Sequence, residues 1–121
     1  MTNKEIVQRM YQAYIEGNRE AIEPLIASNF KFTSPLDNAI DRTTYFQRCW
    51  PNSQWIKDFR FVHLVENGDQ VFVTYEGVTN EGEGFRNTEI ITLKDHRAIE
   101  VEVYFGWNVP HKAKPGEFLN S

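Results

Sequence analysis

The stretch Phe85-Arg86-Asn87-Thr88-Glu89-Ile90-Ile91-Thr92-Leu93, a turn at Lys94 to Arg97, and then Ile99-Glu100-Val101-Glu102-Val103-Tyr104-Phe105 decides the fold class. Both runs are rich in Val, Ile, Thr, Phe and Tyr, and both alternate with a period of two. Two such runs on either side of a short turn predict an antiparallel hairpin of long strands. In the first run Phe85, Asn87, Glu89, Ile91 and Leu93 share one face, which reads as the inner one. In the second, Val101, Val103 and Phe105 do the same. The opposite face carries Arg86, Thr88, Ile90 and Thr92 beside Glu100, Glu102 and Tyr104.

The same period extends upstream. Val71 to Val78 predicts a strand that places Val71, Val73 and Tyr75 on one face, closed by a turn over Asn80 to Gly84. From Trp55 to Glu66 another strand alternates Phe59, Phe61, His63 and Val65 with Arg60, Val62 and Leu64. Asn67-Gly68-Asp69 joins the two as a hairpin turn.

The first half has a different period. Ile6, Val7, Met10, Tyr14 and Ile15 recur at steps of three and four, which predicts a helix. Thr2 or Asn3 can cap it, and Gly17-Asn18 ends it in the left-handed conformation. A short second helix is expected from Arg19 to Ala27, limited by Pro24. Phe30 to Thr33 reads as a strand and Ser34 to Asn38 as a turn. Asp41 or Thr43 can cap a third helix carrying Tyr45, Phe46, Cys49 and Trp50, which Pro51 stops. Helices first and a meander of long strands after them define an α+β class. The expected architecture is N-terminal helices packed on a strongly curved, mainly antiparallel sheet.

Composition bounds the rest. The chain has 121 residues, with 40% apolar and 14% aromatic residues, enough for a single domain with its own core. One domain is expected over residues 1–110, with a polar tail over 111–121. The net charge of −4 argues against a general nucleic-acid or acidic-membrane partner, since phosphate binding needs a basic face. The start leads into an amphipathic helix, and no run approaches a membrane span. The lone Cys49 permits no intramolecular disulfide. These features fit a soluble, cytoplasmic protein.

Three stretches carry a family resemblance: the helix end Tyr14-Ile15-Glu16-Gly17-Asn18 with its short successor, Phe30 to Pro35 before the third helix, and the Phe85 to Gly106 hairpin. In them, and over nearly all of Ile6 to Phe105, the chain resembles SnoaL-like proteins of the nuclear transport factor 2-like superfamily. The resemblance implies a cone-shaped fold, a small mostly apolar pocket and a homodimer through the sheet. It implies little about substrate. Against ketosteroid isomerase, which resembles the chain in layout, Ser34 falls where that enzyme has its general base. Met10 falls near its phenolic donor and Glu89 near its second acid. Ser34 cannot act as that base, so steroid-type isomerisation is not expected. Nuclear transport, the role that names the fold, is also a weaker expectation.

Within this frame Glu89 is the candidate acid–base group, with Asn87 orienting and His63 a lesser catalytic candidate. If Glu89 is buried without a cation, its protonated form can donate to a ligand carbonyl, and its ionised form can take a proton. If it pairs with Arg or Lys, it merely orders the sheet. Met10, Tyr14, Ser34, Trp50, Val73, Tyr75, Val101, Val103 and Phe105 are the candidate ligand-binding residues. If their faces meet in a filled core, no cavity exists. No metal and no cofactor are expected: His63, His96 and His111 lack ligand spacing, and Gly82-x-Gly84 lacks the context of a phosphate loop. The function expected is binding of a small apolar molecule. Cofactor-free isomerase, cyclase, hydrolase or dehydratase-like chemistry at Glu89 is one form of it. The alternative is a non-enzymatic dimeric ligand-sensing or scaffold module.

Overall fold

The computed structural model describes residues 1–120. Helix α1 (Asn3–Glu16) opens the chain. Thr2 caps it by accepting from the Glu5 amide, while the Glu5 carboxylate reaches back to Thr2 in a reciprocal capping box. Gly17 ends it at φ 64°, where a side chain would be strained. Asn18 caps the one-turn helix α2 (Arg19–Ile22) through the Ala21 amide. The second helix is shorter than the spacing of its apolar residues suggests. Pro24 lies in a 3-10 turn over Glu23–Leu25, and the chain is already extended at Ile26.

Strand β1 (Ile26–Ser34) turns through Pro35 and Leu36 into β2 (Asp37–Asp41), a strand the sequence pattern did not disclose. The expected turn over Ser34 to Asn38 therefore contains only two unpaired residues, with Ser34 facing Asp37 across the hairpin. Asp41 caps α3 (Arg42–Arg48) through the Thr44 amide. Cys49 follows α3, and Trp50 to Trp55 form a 3-10 helix with Pro51 near its start. The long strands follow: β3 (Ile56–Asn67), β4 (Gln70–Thr79), β5 (Gly84–Lys94) and β6 (Arg97–Val109). The last runs four residues past Phe105. Residues 110–120 carry no helix or strand, and Ser121, the end of the expected tail, lies outside the described residues.

All six strands form one sheet in the order β2-β1-β6-β5-β4-β3. The β1–β6 pair is parallel and the others are antiparallel. Irregular pairings at Phe61/His63, Phe85/Asn87 and Thr92/Leu93 add local twist, and the sheet curves around the helices. Ile6 and Val7 of α1 are fully buried with Val71, Val73 and Ile91 of the sheet, and these close the narrow end of the cone. Arg42 ties α3 to the start of β1 by donating to the carbonyls of Glu23 and Ile26. The helices thus cover the inner sheet face at one end and leave it open at the other.

Candidate functional site

The open end leads into a cavity of about 600 Å³ between the helices and the sheet. Its inner group is built on two neighbouring strands. Val73 of β4 lies opposite Glu89 of β5, and Tyr75 lies opposite Asn87. This register sets Tyr75 diagonally across from Glu89, and Tyr75 Oη donates a 2.6 Å hydrogen bond to Glu89 Oε2. Asn87 Nδ2 donates to Tyr75 Oη at 3.3 Å, and Asn87 Oδ1 accepts from the Gly106 amide. Asn87 therefore orients Tyr75, and its amide is committed at both atoms.

No Arg, Lys or His pairs with Glu89 among the described residues. Burial raises its carboxyl above the ordinary value of 4.5, and the hydroxyls of Tyr75 and Tyr11 offset part of that rise. The phenols of Tyr11 and Tyr75 are themselves pushed up, chiefly by burial and then by the Glu89 charge. A carboxyl among phenols keeps its proton more readily than one beside a cation.

Tyr11 joins this group although it is not among the residues expected from the sequence pattern. It is 8% exposed, lines the cavity and has a buried hydroxyl that lies near the Glu89 carboxyl without forming a hydrogen bond of good geometry to it or to any other described group. Its ring stands edge-on to Phe59, Phe61 and Tyr75, which fixes where the hydroxyl points. The signal was present in the sequence, because Tyr11 lies four residues after Val7, on the covered face of α1.

Met10, Tyr14, Ser34, Tyr75, Asn87, Glu89, Val101, Val103 and Phe105 all line the cavity, so the structure brings nine of the candidates together. Three candidates lie elsewhere. Trp50 is behind the wall, packed edge-on to Tyr14 and against Phe46. Val73 is fully buried in the core below the cavity. His63 is exposed and does not line the cavity. The irregular pairing between Phe61 and His63 breaks the alternation, so that Leu64 packs against the core in its place. His63 cannot serve as an imidazole partner of Glu89 from there.

The mouth has its own polar group. Ser34 Oγ donates to Asp37 Oδ2 at 2.8 Å and accepts from the Leu36 amide, while Arg48 Nε donates to Asp37 Oδ1. Burial would raise the Asp37 carboxyl, but the hydrogen bonds from Ser34 and Arg48, and then the Arg48 charge, outweigh it and hold the group below its ordinary range. Burial pushes the nearby Cys49 thiol up to about 11, so it is no nucleophile at neutral pH. Leu36, Trp55 and Phe105 form an exposed apolar rim.

The family model for the SnoaL-like domain matches residues 7–101. No curated protein matches the chain. Among solved structures, a nuclear transport factor 2-like protein of unknown function from Cytophaga hutchinsonii is 20% identical, with a TM-score of 0.70 over 88% of this chain and 91% of that one. IdmH, a putative polyketide cyclase from Streptomyces antibioticus, is 20% identical, with a TM-score of 0.65 over 85% of this chain and 91% of its own. A de novo designed protein with a curved β-sheet is 12% identical and reaches a TM-score of 0.75 over 88% of each chain. That a designed protein fits so well makes clear that these likenesses speak to the fold alone. On the family match and the fold together, this chain belongs to the SnoaL-like domain family and has the nuclear transport factor 2-like cone.

Proposed function

We propose that the cone holds a small, mostly apolar molecule and binds its carbonyl or hydroxyl oxygen at Tyr11 and Glu89. The observation that carries this reading is the buried Tyr11 hydroxyl, which makes no well-formed hydrogen bond, beside a half-buried Glu89 that no cation pairs. An orphaned buried hydroxyl costs about 1–3 kcal/mol, which a ligand oxygen would recover. Protonated Glu89 supplies a second donor to the same oxygen, while Tyr75 and Asn87 hold it in place. Apolar walls with a few convergent polar groups are the usual make-up of a ligand site.

The test uses two probes of nearly the same shape, acetonaphthone and ethylnaphthalene. The ketone should bind about tenfold more tightly, and Tyr11→Phe should erase the difference. Equal affinity in the wild type contradicts the reading. Exchange of the ketone's methyl protons in deuterium oxide separates enzyme from binder. Exchange that is lost in Glu89→Gln supports acid–base chemistry, and binding without exchange supports a ligand sensor.

The homodimer belongs to the same proposal. Tyr104 and Trp107 are 50% and 54% exposed, and a second copy packed on the sheet would cover Tyr104 on its outer face. Light scattering giving twice the 14.2 kDa chain mass supports it, and a monomer mass at micromolar concentration rejects it. With a single cysteine, a cytoplasmic setting suits the chain.

A further inference from the structure

Two carboxyl groups and one guanidinium line the cavity: Glu89 within, and Asp37 and Arg48 at the mouth. Arg48 is the one cation among them, and its side chain is 55% exposed. Its guanidinium is fixed through Nε by Asp37, whose other oxygen is taken by Ser34. The Arg48 terminal nitrogens donate to nothing among the described residues. Asp37 is thus a fixed counterion with both oxygens engaged, and it presents a guanidinium with two free amino groups at the cavity entrance. A planar guanidinium with free terminal groups suits a carboxylate or sulfonate.

We infer that the molecule held in the cone is an amphiphile, with a neutral oxygen at the Tyr11–Glu89 end and an anionic group at the mouth on Arg48. This rests on the reading of the cavity as a ligand site and narrows the ligand to apolar oxo or hydroxy acids. The orientation follows from desolvation. An anion at the mouth keeps contact with water and meets a cation. The reverse placement would bury that anion beside Glu89, away from any positive charge.

The experiment compares anilinonaphthalene sulfonate with phenylnaphthylamine, which share a scaffold and differ by the sulfonate. Both fluoresce on entering apolar sites. In Arg48→Met the ratio of sulfonate to neutral affinity should fall about tenfold, and Arg48→Lys should restore part of it. Salt should weaken the sulfonate alone. An unchanged ratio in Arg48→Met overturns the inference and leaves the cavity reading standing. Val103→Trp, which fills the cavity, tests that reading separately. Both probes should then lose affinity. Retained binding of both, or no binding of either probe to the wild type, overturns the cavity reading and this inference together. Far-UV circular dichroism verifies that each variant is folded.

Discussion

Tyr75 and Glu89, on adjacent strands and two residues out of direct register, meet in a 2.6 Å hydrogen bond inside the cone. The phenol is the donor, so the bond favours the charged carboxylate. Burial acts in the opposite sense and is the larger effect. Glu89 is therefore a carboxyl that folding makes harder to ionise, held in place by a hydrogen bond that offsets part of the cost. A group in that condition is expected at a site that handles protons or ligand oxygens, since a purely structural carboxylate gains more from a cation.

The sign of the pH dependence follows. A carboxyl raised in the fold contributes stability that is fully present below its unfolded value, and loses it as pH rises through its folded value. Glu89→Gln removes that loss. As pH rises above 4.5 the wild type should lose stability relative to Glu89→Gln, and the loss should level off once pH passes the folded value. Urea unfolding of both proteins at a series of pH values measures the difference. Asp37, lowered in the fold, acts in the opposite sense in both proteins and cancels in the comparison. A gap that stays constant with pH would contradict the account.

The break in strand alternation separates two adjacent residues. His63→Ala should change stability by less than about 0.5 kcal/mol and leave probe binding unaltered, since His63 is exposed outside the cavity. Leu64→Ala should cost about 1–3 kcal/mol, because Leu64 packs against the core. Denaturant midpoints decide the order. A larger loss at His63 would mean that the alternation continues unbroken.

Gly77 sits on β4 directly opposite Phe85 of β5, and a methyl group at Gly77 would run into the Phe85 ring. Phe85 lines the cavity. Gly77→Ala should drive that ring off its position, at a cost of about 1–3 kcal/mol, and should weaken the binding of phenylnaphthylamine. Unfolding together with fluorescence titration reports both effects. Unaltered stability would show that the ring has room to move.

The architecture was largely legible because the two halves of the chain carry different hydrophobic periods, and those periods report which face is buried. Glu89 and Asn87 were found for the same reason, as inward positions on a regular strand. What stayed hidden depends on breaks in regularity. The shift at Phe61/His63 moved His63 outward, and no Gly or Pro there marked it. Strand β2 escaped notice because Asp37-Asn38-Ala39 has turn composition, with Ala39 at φ 47°. Asp37 and Arg48 come together only when β2 folds beside α3, a contact that no local pattern announces. Trp50 lies in a 3-10 helix rather than in α3, so its direction could not be read from a 3.6-residue period. Tyr11 was legible from its spacing after Val7, but its unpartnered hydroxyl depends on packing from three other aromatic rings.

The chemistry of the cone depends on the state of Glu89, and the most direct measurement is a carbon-13 titration of its side-chain carboxyl by NMR, assigned through Glu89→Gln and repeated in Tyr75→Phe. The wild-type carboxyl should titrate above the ordinary value of 4.5, and higher still in Tyr75→Phe, where the phenol no longer favours the charged form. A value at or below 4.5 would mean a solvated or paired carboxylate, and would contradict the site as described.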